Sequence, residues 1–275
     1  MSRVVPVYSL AGEKSGEVEL PPVFDVPIRP DLINRVFWAL FTHRLQPKGT
    51  DPMAGERTSA ESFGVDLGMA RLARVKGSGY PRAGQAAGVA GVRKGRAAHP
   101  PKVEKVIYKR VNVKERRLAT ASAIAATALL ELVRSRGHRV PDSLEVPIVV
   151  SDEIESLSKL KDLKALLGKL GLLEDVERAA NRSDRGGKAR WRGRARDVGK
   201  SLLIVVSSDR GIGRAARNLP GVDVVLAKDV SVLDLAPGGK PGRLTMWSVS
   251  ALRALPKTLS EVALIHGSRE GLQDN

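Results

Sequence analysis

Residues 202–206 read LLIVV. Side chains alternate between the two faces of a strand, so an unbroken apolar run must bury both faces. That requirement is met in a parallel sheet covered by helices on both sides. The same signature recurs at 145–150 (EVPIVV) and 222–227 (VDVVLA), and a last strand is expected at Leu244–Trp247. Helical patterns lie between these runs. Ile154–Ala180 reads as helix with a break near Gly168–Gly171, preceded by Ser151 as N-cap and by Asp152 and Glu153 near the positive helix end. Shorter helices are predicted at Ile212–Leu219 and Ser250–Leu255. Val113–Arg136 reads as one long Ala-rich helix, with Leu118, Ala121, Ala125, Leu129, Leu132 and Val133 on its buried side and Gly137 at its C-cap. Upstream, a strand is expected at Val4–Leu10, followed by a Gly-containing turn. A helix at Asp31–Gln46 has Leu32, Val36, Phe37, Leu40 and Phe41 at helical spacing.

Strands alternating with helices predict an α/β fold: three layers, α/β/α, around a mostly parallel sheet. The body is expected over 1–46 and 113–255. Residues 256–275 are expected to form a weakly structured tail. The segment 47–112 interrupts the pattern. It shows no sustained period and holds Gly77, Gly79, Gly84, Gly88, Gly91 and Gly95. A structureless stretch of this length inside a domain is either functional or disordered.

Charge says what such a segment could meet. The chain has 46 Lys and Arg against 30 Asp and Glu, a net charge of +16. A polyanion is the expected partner, nucleic acid first. Zero Cys excludes disulfides, thiolate metal sites and Cys nucleophiles, and four scattered His give no ligand spacing. No apolar run suits a signal peptide or a spanning helix, so a cytoplasmic location and no membrane contact are expected. The basic residues of 47–112 include Arg57, Arg71, Arg74, Lys76, Arg82, Arg93, Lys94, Arg96 and Lys102, with Phe63, Tyr80 and Tyr108 interleaved. A second basic loop, 181–200, carries eight Lys or Arg against two Asp, and Trp191 sits inside it. Its candidates are Arg185, Lys188, Arg190, Trp191, Arg192, Arg194 and Arg196. Cations neutralise phosphates and release counterions; aromatic and guanidinium planes stack on unpaired bases. RNA is favoured over duplex DNA, because no helix-turn-helix, zinc finger or basic zipper pattern is present.

Other chemistries find little support. Gly199-Lys200-Ser201 resembles the end of a phosphate loop, but the required upstream Gly is Arg194 and a strand follows instead of preceding it. Gly77-Ser78-Gly79 begins a dinucleotide fingerprint whose third Gly position is Arg82. Ser156–Lys159 matches Ser-x-x-Lys without companion signatures. Asp152, Glu153 and Glu155 follow a strand, where α/β enzymes bind ligands, yet acids matching a helix dipole explain them as well. Of His43, His99, His138 and His266, only His99 is a candidate phosphate or base contact. It lies between two basic runs. No cofactor, metal or catalytic residue is expected.

Several stretches resemble one family in order along the chain: LPPVFDVPIRPDLI (Leu20–Ile33), AGERTSAESFG (Ala54–Gly64), ARVKGSGYPRAGQ (Ala73–Gln85), KGRAAHPPK (Lys94–Lys102), VPIVVSDEIE (Val146–Glu155), ARNLPGVDVV (Ala216–Val225) and LAPGGKPGRLT (Leu235–Thr245). The chain resembles the large-subunit ribosomal protein L four family, of the archaeal and eukaryotic type. The resemblance implies an α/β body and a long extended basic loop, here 47–112, that enters the large-subunit RNA and helps form the peptide exit tunnel. It places RNA contacts on Arg71, Arg74, Lys76, Tyr80, Arg82, Arg93, Lys94, Arg96, His99 and Lys102. Two legs of roughly 33 residues at about 3.3 Å each set an upper reach on the order of 100 Å. Where relatives tend to run Gly-x-Gly-Arg, this chain has Val65-Asp66-Leu67-Gly68, which leaves the local contact without its expected cation. The implied function is structural: binding 23S-type rRNA beside neighbouring ribosomal proteins, in the cytoplasmic large subunit, with no homo-oligomer. The alternative is an RNA-modifying enzyme with an α/β body and basic docking loops.

Overall fold

The apolar runs become the parallel core of one sheet. In the computed structural model, which describes residues 3–181, 183–196, 199–259 and 261, the elements follow as β1 (Val4–Tyr8), β2 (Lys14–Glu19), a 3-10 turn (Pro22–Asp25), α1 (Pro30–Thr42), β3 (Glu61–Ser62), β4 (Ala73–Arg74), α2 (Val113–Ala126), α3 (Leu130–Ser135), β5 (Ile148–Val150), a 3-10 turn (Asp152–Ser156), α4 (Leu160–Lys169), α5 (Leu173–Ala180), α6 (Gly187–Trp191), β6 (Leu203–Val206), α7 (Ile212–Ala216), β7 (Asp223–Leu226), α8 (Val232–Leu235), β8 (Thr245–Ser248) and α9 (Val249–Arg253). The chain divides into two units, Met1–Phe41 with Lys109–Asn275, and Thr42–Tyr108.

The first unit holds a sheet in the order β2-β1-β5-β8-β6-β7. Its β1–β2 pair is antiparallel and its other pairs are parallel. The two-residue period sorts the side chains into two cores. Val149, Leu203, Val205 and Trp247 join one, with Leu32, Ile33, Val36 and Phe37 of α1 and the buried alanines of α2. Ile148, Val150, Ile204, Val206 and Met246 join the other, with Leu163, Leu166 and Leu167 of α4, Val176 of α5 and Ile212 of α7. The result is the expected three-layer α/β/α arrangement. Residues 119–126 of α2 are buried on all sides, which small side chains permit.

Several expectations are corrected. The strand β2 stands where only a turn was expected; Val18 is its one large apolar residue, and its charges suit an exposed edge. The helix α1 stops at Thr42, not Gln46, because its apolar stripe ends at Phe41 and Leu45 is exposed. The expected single helix 113–136 is two. Thr127 Oγ1 donates to the Ile124 carbonyl at 2.7 Å, and Leu129, exposed and extended, separates α2 from α3. Ser151 forms no cap; its hydroxyl has no partner and the following turn is 3-10. A capping box of Ser231 and Asp234 starts α8, which the sequence reading missed. Of the expected tail, Leu259 is buried in the first core, whereas 260 and 262–275 lie outside the described residues.

The carboxylate expected to match a helix dipole does something else. Glu155 is 4% exposed. It accepts hydrogen bonds from Ser207 N at 2.7 Å, and from the hydroxyls of Ser208, Ser248 and Ser250 at 2.9 Å each. It thereby joins the C-terminal ends of β5, β6 and β8. Burial alone would push its carboxyl up, but the donors hold it below the usual range.

The opposite ends of β6, β7 and β8 are tied by a second buried cluster. Asp175 accepts from His138 Nδ1 (3.1 Å), Arg139 N (2.9 Å), Arg178 Nε (2.9 Å) and Ser201 Oγ (2.7 Å). Arg243, 1% exposed, donates to the carbonyls of Ser201 (2.9 Å), Asp234 (2.8 Å) and Gly221 (3.1 Å), and to Asp223. Burial near Arg243 and Arg178 pulls the Arg136 guanidinium down to about 10. Burial likewise pushes the His138 imidazole down, outweighing its bond to Asp175.

Two stability predictions follow from these clusters. Glu155→Ala strands four donors and should cost about 3 kcal/mol in urea unfolding. His138 has a folded pKa below the unfolded value of about 6.5, so the unfolded state takes up the proton first and stability falls as pH drops through that value. His138→Asn should flatten this part of a stability–pH curve.

Candidate nucleic-acid interface

The unit 42–108 is held by backbone, not by a core. Glu61 pairs with Arg74 and Ser62 with Ala73. On the other side Val75 N donates to the Gln85 carbonyl (2.9 Å), Gly84 N to that of Val75 (3.0 Å) and Ala87 N to that of Ala73 (3.0 Å). The expected extended loop is therefore folded back on a short ladder. Two glycines bring chain segments together at backbone distance. A Cβ on Gly95 would lie 2.1 Å from the Val89 carbonyl oxygen, and one on Gly55 would lie 2.4 Å from the carbonyl carbon of Gly95. No residue from 42 to 108 is buried. Exposed instead are Met53, Phe63, Val65, Leu67, Met69, Leu72, Tyr80, Val103, Val106 and Tyr108. Most of these aliphatic side chains were not singled out from the sequence, although the run 63–69, FGVDLGM, alternates them with Gly and Asp.

The expected contact residues fall into groups. Arg57 pairs with Asp51, Lys76 with Glu61 (2.6 Å) and Arg96 with Glu56 (3.3 Å). Arg74 is half-buried and donates to the Gly84 carbonyl (2.8 Å), so it serves the ladder first. Arg71, Arg82, Arg93, Lys94 and Lys102 are exposed and have no carboxylate partner among the described residues. The structure brings Arg82, Arg93 and Lys94 together with Val75 around two hollows of about 400 and 570 Å³; Arg57 and Tyr80 line the first of these. Arg71, Lys76, Arg96, His99 and Lys102 do not line them. At Asp66 the backbone is left-handed (φ 68).

The second basic segment is a hairpin around a helical turn, where a loop was expected. Asp184 bridges to Arg196 across its base, Arg185 N donates to the Ala195 carbonyl (2.7 Å), and Arg194 N donates to that of Ala189 (2.9 Å). Asp184 and Arg196 also form an ion pair at 3.7 Å. Lys188, Arg190, Trp191, Arg192 and Arg194 are exposed. Lys200 instead pairs with Asp223 (2.8 Å), and the Ser201 hydroxyl is committed to Asp175. The phosphate-loop resemblance at 199–201 is thus occupied by structural bonds. Glu155 is likewise committed to its four donors. His43 packs against the Tyr108 ring, His138 is buried, and His99 is exposed; His266 lies outside the described residues. Among the described residues no cluster of three metal ligands occurs, and no helix is long and apolar enough to cross a membrane.

The resemblance implies an α/β body and a long basic loop; the structure has an α/β unit and a cationic unit that buries no residue. The sequence model of the Ribosomal protein L4/L1 family matches residues 18–258. The chain belongs to this family. Its relatives include three archaeal proteins, each named large ribosomal subunit protein uL4. That of Saccharolobus solfataricus is 52% identical over 252 residues, covering 91% of this chain and 92% of its own. That of Methanopyrus kandleri is 50% identical over 257 residues, covering 93% and 99%. That of Methanocaldococcus jannaschii is 51% identical over 250 residues, covering 90% and 96%. Membership in the L4/L1 family places the chain among ribosomal proteins and not among enzymes.

The glycine contact yields a direct test of the ladder. Gly95→Val should force the segments at 55, 89 and 95 apart. Limited trypsin digestion should then cut at Arg93 to Arg96 severalfold faster, with the melting temperature of the body unchanged.

Proposed function

We propose that this protein is a structural constituent of the cytoplasmic large ribosomal subunit, binding 23S-type rRNA through the unit 42–108 and the hairpin 184–196. One observation carries the reading: a folded unit in which nothing is buried. It has twelve Lys and Arg against five Asp and Glu. Its unpaired cations are gathered around open hollows, and its apolar side chains face outward. Such a surface is complete only when covered. Phosphates suit its charge, and unstacked bases suit Tyr80 and Tyr108. The names of the relatives point to the large subunit as the setting.

Within that setting the unit 42–108 helps to form the polypeptide exit tunnel. The run Phe63–Ala70 has no Lys or Arg and exposes Val65, Leu67 and Met69. That chemistry is consistent with a surface facing a passing peptide or a neighbouring protein more than phosphate. Arg82, Arg93 and Lys94 supply the RNA contacts that anchor it.

Sedimentation of a cell extract through a high-salt sucrose gradient tests the proposal. The protein should travel with the large subunit and leave that position only after ribonuclease treatment. A position near the top of the gradient, without ribonuclease, would overturn it.

A further inference from the structure

The hairpin 184–196 presents Trp191 in an unusual way. Its indole is 88% exposed, the most exposed large hydrophobic side chain among the described residues, and it makes no aromatic contact. An indole left in water forgoes a large burial gain. Yet the turn that carries it is well fixed, with backbone hydrogen bonds at both Arg185–Ala195 and Ala189–Arg194, and with Gly193 left-handed (φ 73) at the helix end. Fixing an aromatic before its partner arrives lowers the ordering cost of binding.

The neighbours define the partner. Arg190 and Arg192 flank Trp191 directly, and Lys188 and Arg194 lie three residues to either side. All four are exposed and without a carboxylate partner among the described residues; Asp184 is paired with Arg196. Lys188 and Trp191 share one face of the turn by their i, i+3 spacing. A flat apolar plate bordered by cations on both chain sides matches a nucleotide, whose base carries a phosphate on each side. A protein pocket for an indole would need acids around its rim to meet these four charges. Duplex RNA offers phosphates, but its base faces are stacked away inside the helix.

We propose that Trp191 is a stacking platform for an unpaired base, so that the hairpin binds a loop or bulge of RNA and not a regular duplex. This rests on the RNA-binding reading above and narrows it to a class of RNA structure at one residue. The stack supplies affinity without choosing among bases, because every base has a π face. The four cations supply a salt-dependent term of their own.

The test uses the full-length protein, a fluorescein-labelled single-stranded RNA of mixed sequence, and the same strand annealed to its complement. Trp247 is buried and Trp38 is half-exposed, so the emission of Trp191 is taken as the difference between wild type and Trp191→Phe. Single-stranded RNA should quench that difference emission, and duplex should not. Trp191→Ala should weaken single-strand binding about tenfold, with duplex binding and the salt dependence unchanged; Trp191→Phe should lose less. Equal losses on both RNAs, or wild-type affinity with no quenching, would overturn the assignment. So would loss of incorporation into subunits with RNA binding intact, which would mean a protein partner. If the wild-type protein binds neither RNA, the RNA-binding reading itself fails, an outcome separate from failure of the stack.

Discussion

Glu155 is the contact on which the frame of the body depends. A parallel sheet of short strands has little hydrogen bonding along its length, so its ends must be fixed by something else. Four donors from the ends of β6, β8 and α9 converge on one buried carboxylate that follows β5. The opposite ends are fixed by Arg243 and Asp175, again through buried charge with every donor matched. Buried ions are costly unless their hydrogen bonding is complete. Here they hold strand order and register at both ends of the strands while aliphatic packing fills the two cores between.

The unit 42–108 is built on the opposite principle. It has no core to repay the entropy of ordering its chain. Its order comes from a ladder a few residues long, from glycines that let backbones touch, and from ion pairs such as Lys76–Glu61 that are individually weak at a surface. Among the charges left unpaired, Arg82, Arg93 and Lys94 gather around the two hollows, whereas Arg71 and Lys102 lie away from them. Under the proposed function, RNA covering these charges would supply both the missing burial and the missing counter-charge. The hairpin 184–196 likewise buries no residue, and its Trp191 is the most exposed large apolar side chain among the described residues.

The reading of the sequence succeeded where one physical rule dominated. The run 202–206 had to be a strand buried on both faces, and the basic, Gly-rich segments had to lie outside a core. Those two facts determined the α/β class and the insertion, and they make a polyanion the expected partner of the basic segments. Positions that depend on distant residues were not legible. Glu155 reads as a dipole-matching acid until β6 and β8 bring Ser207, Ser208 and Ser248 against it. Arg74, expected as an RNA contact, also donates a hydrogen bond to the Gly84 carbonyl, a tie that its sequence position does not reveal. Thr127 ends α2 through a local bond that composition does not reveal. Only the tertiary structure could separate cations that stabilise the protein from those left for a ligand, because charge is a property of the residue, whereas availability depends on what the fold places beside it.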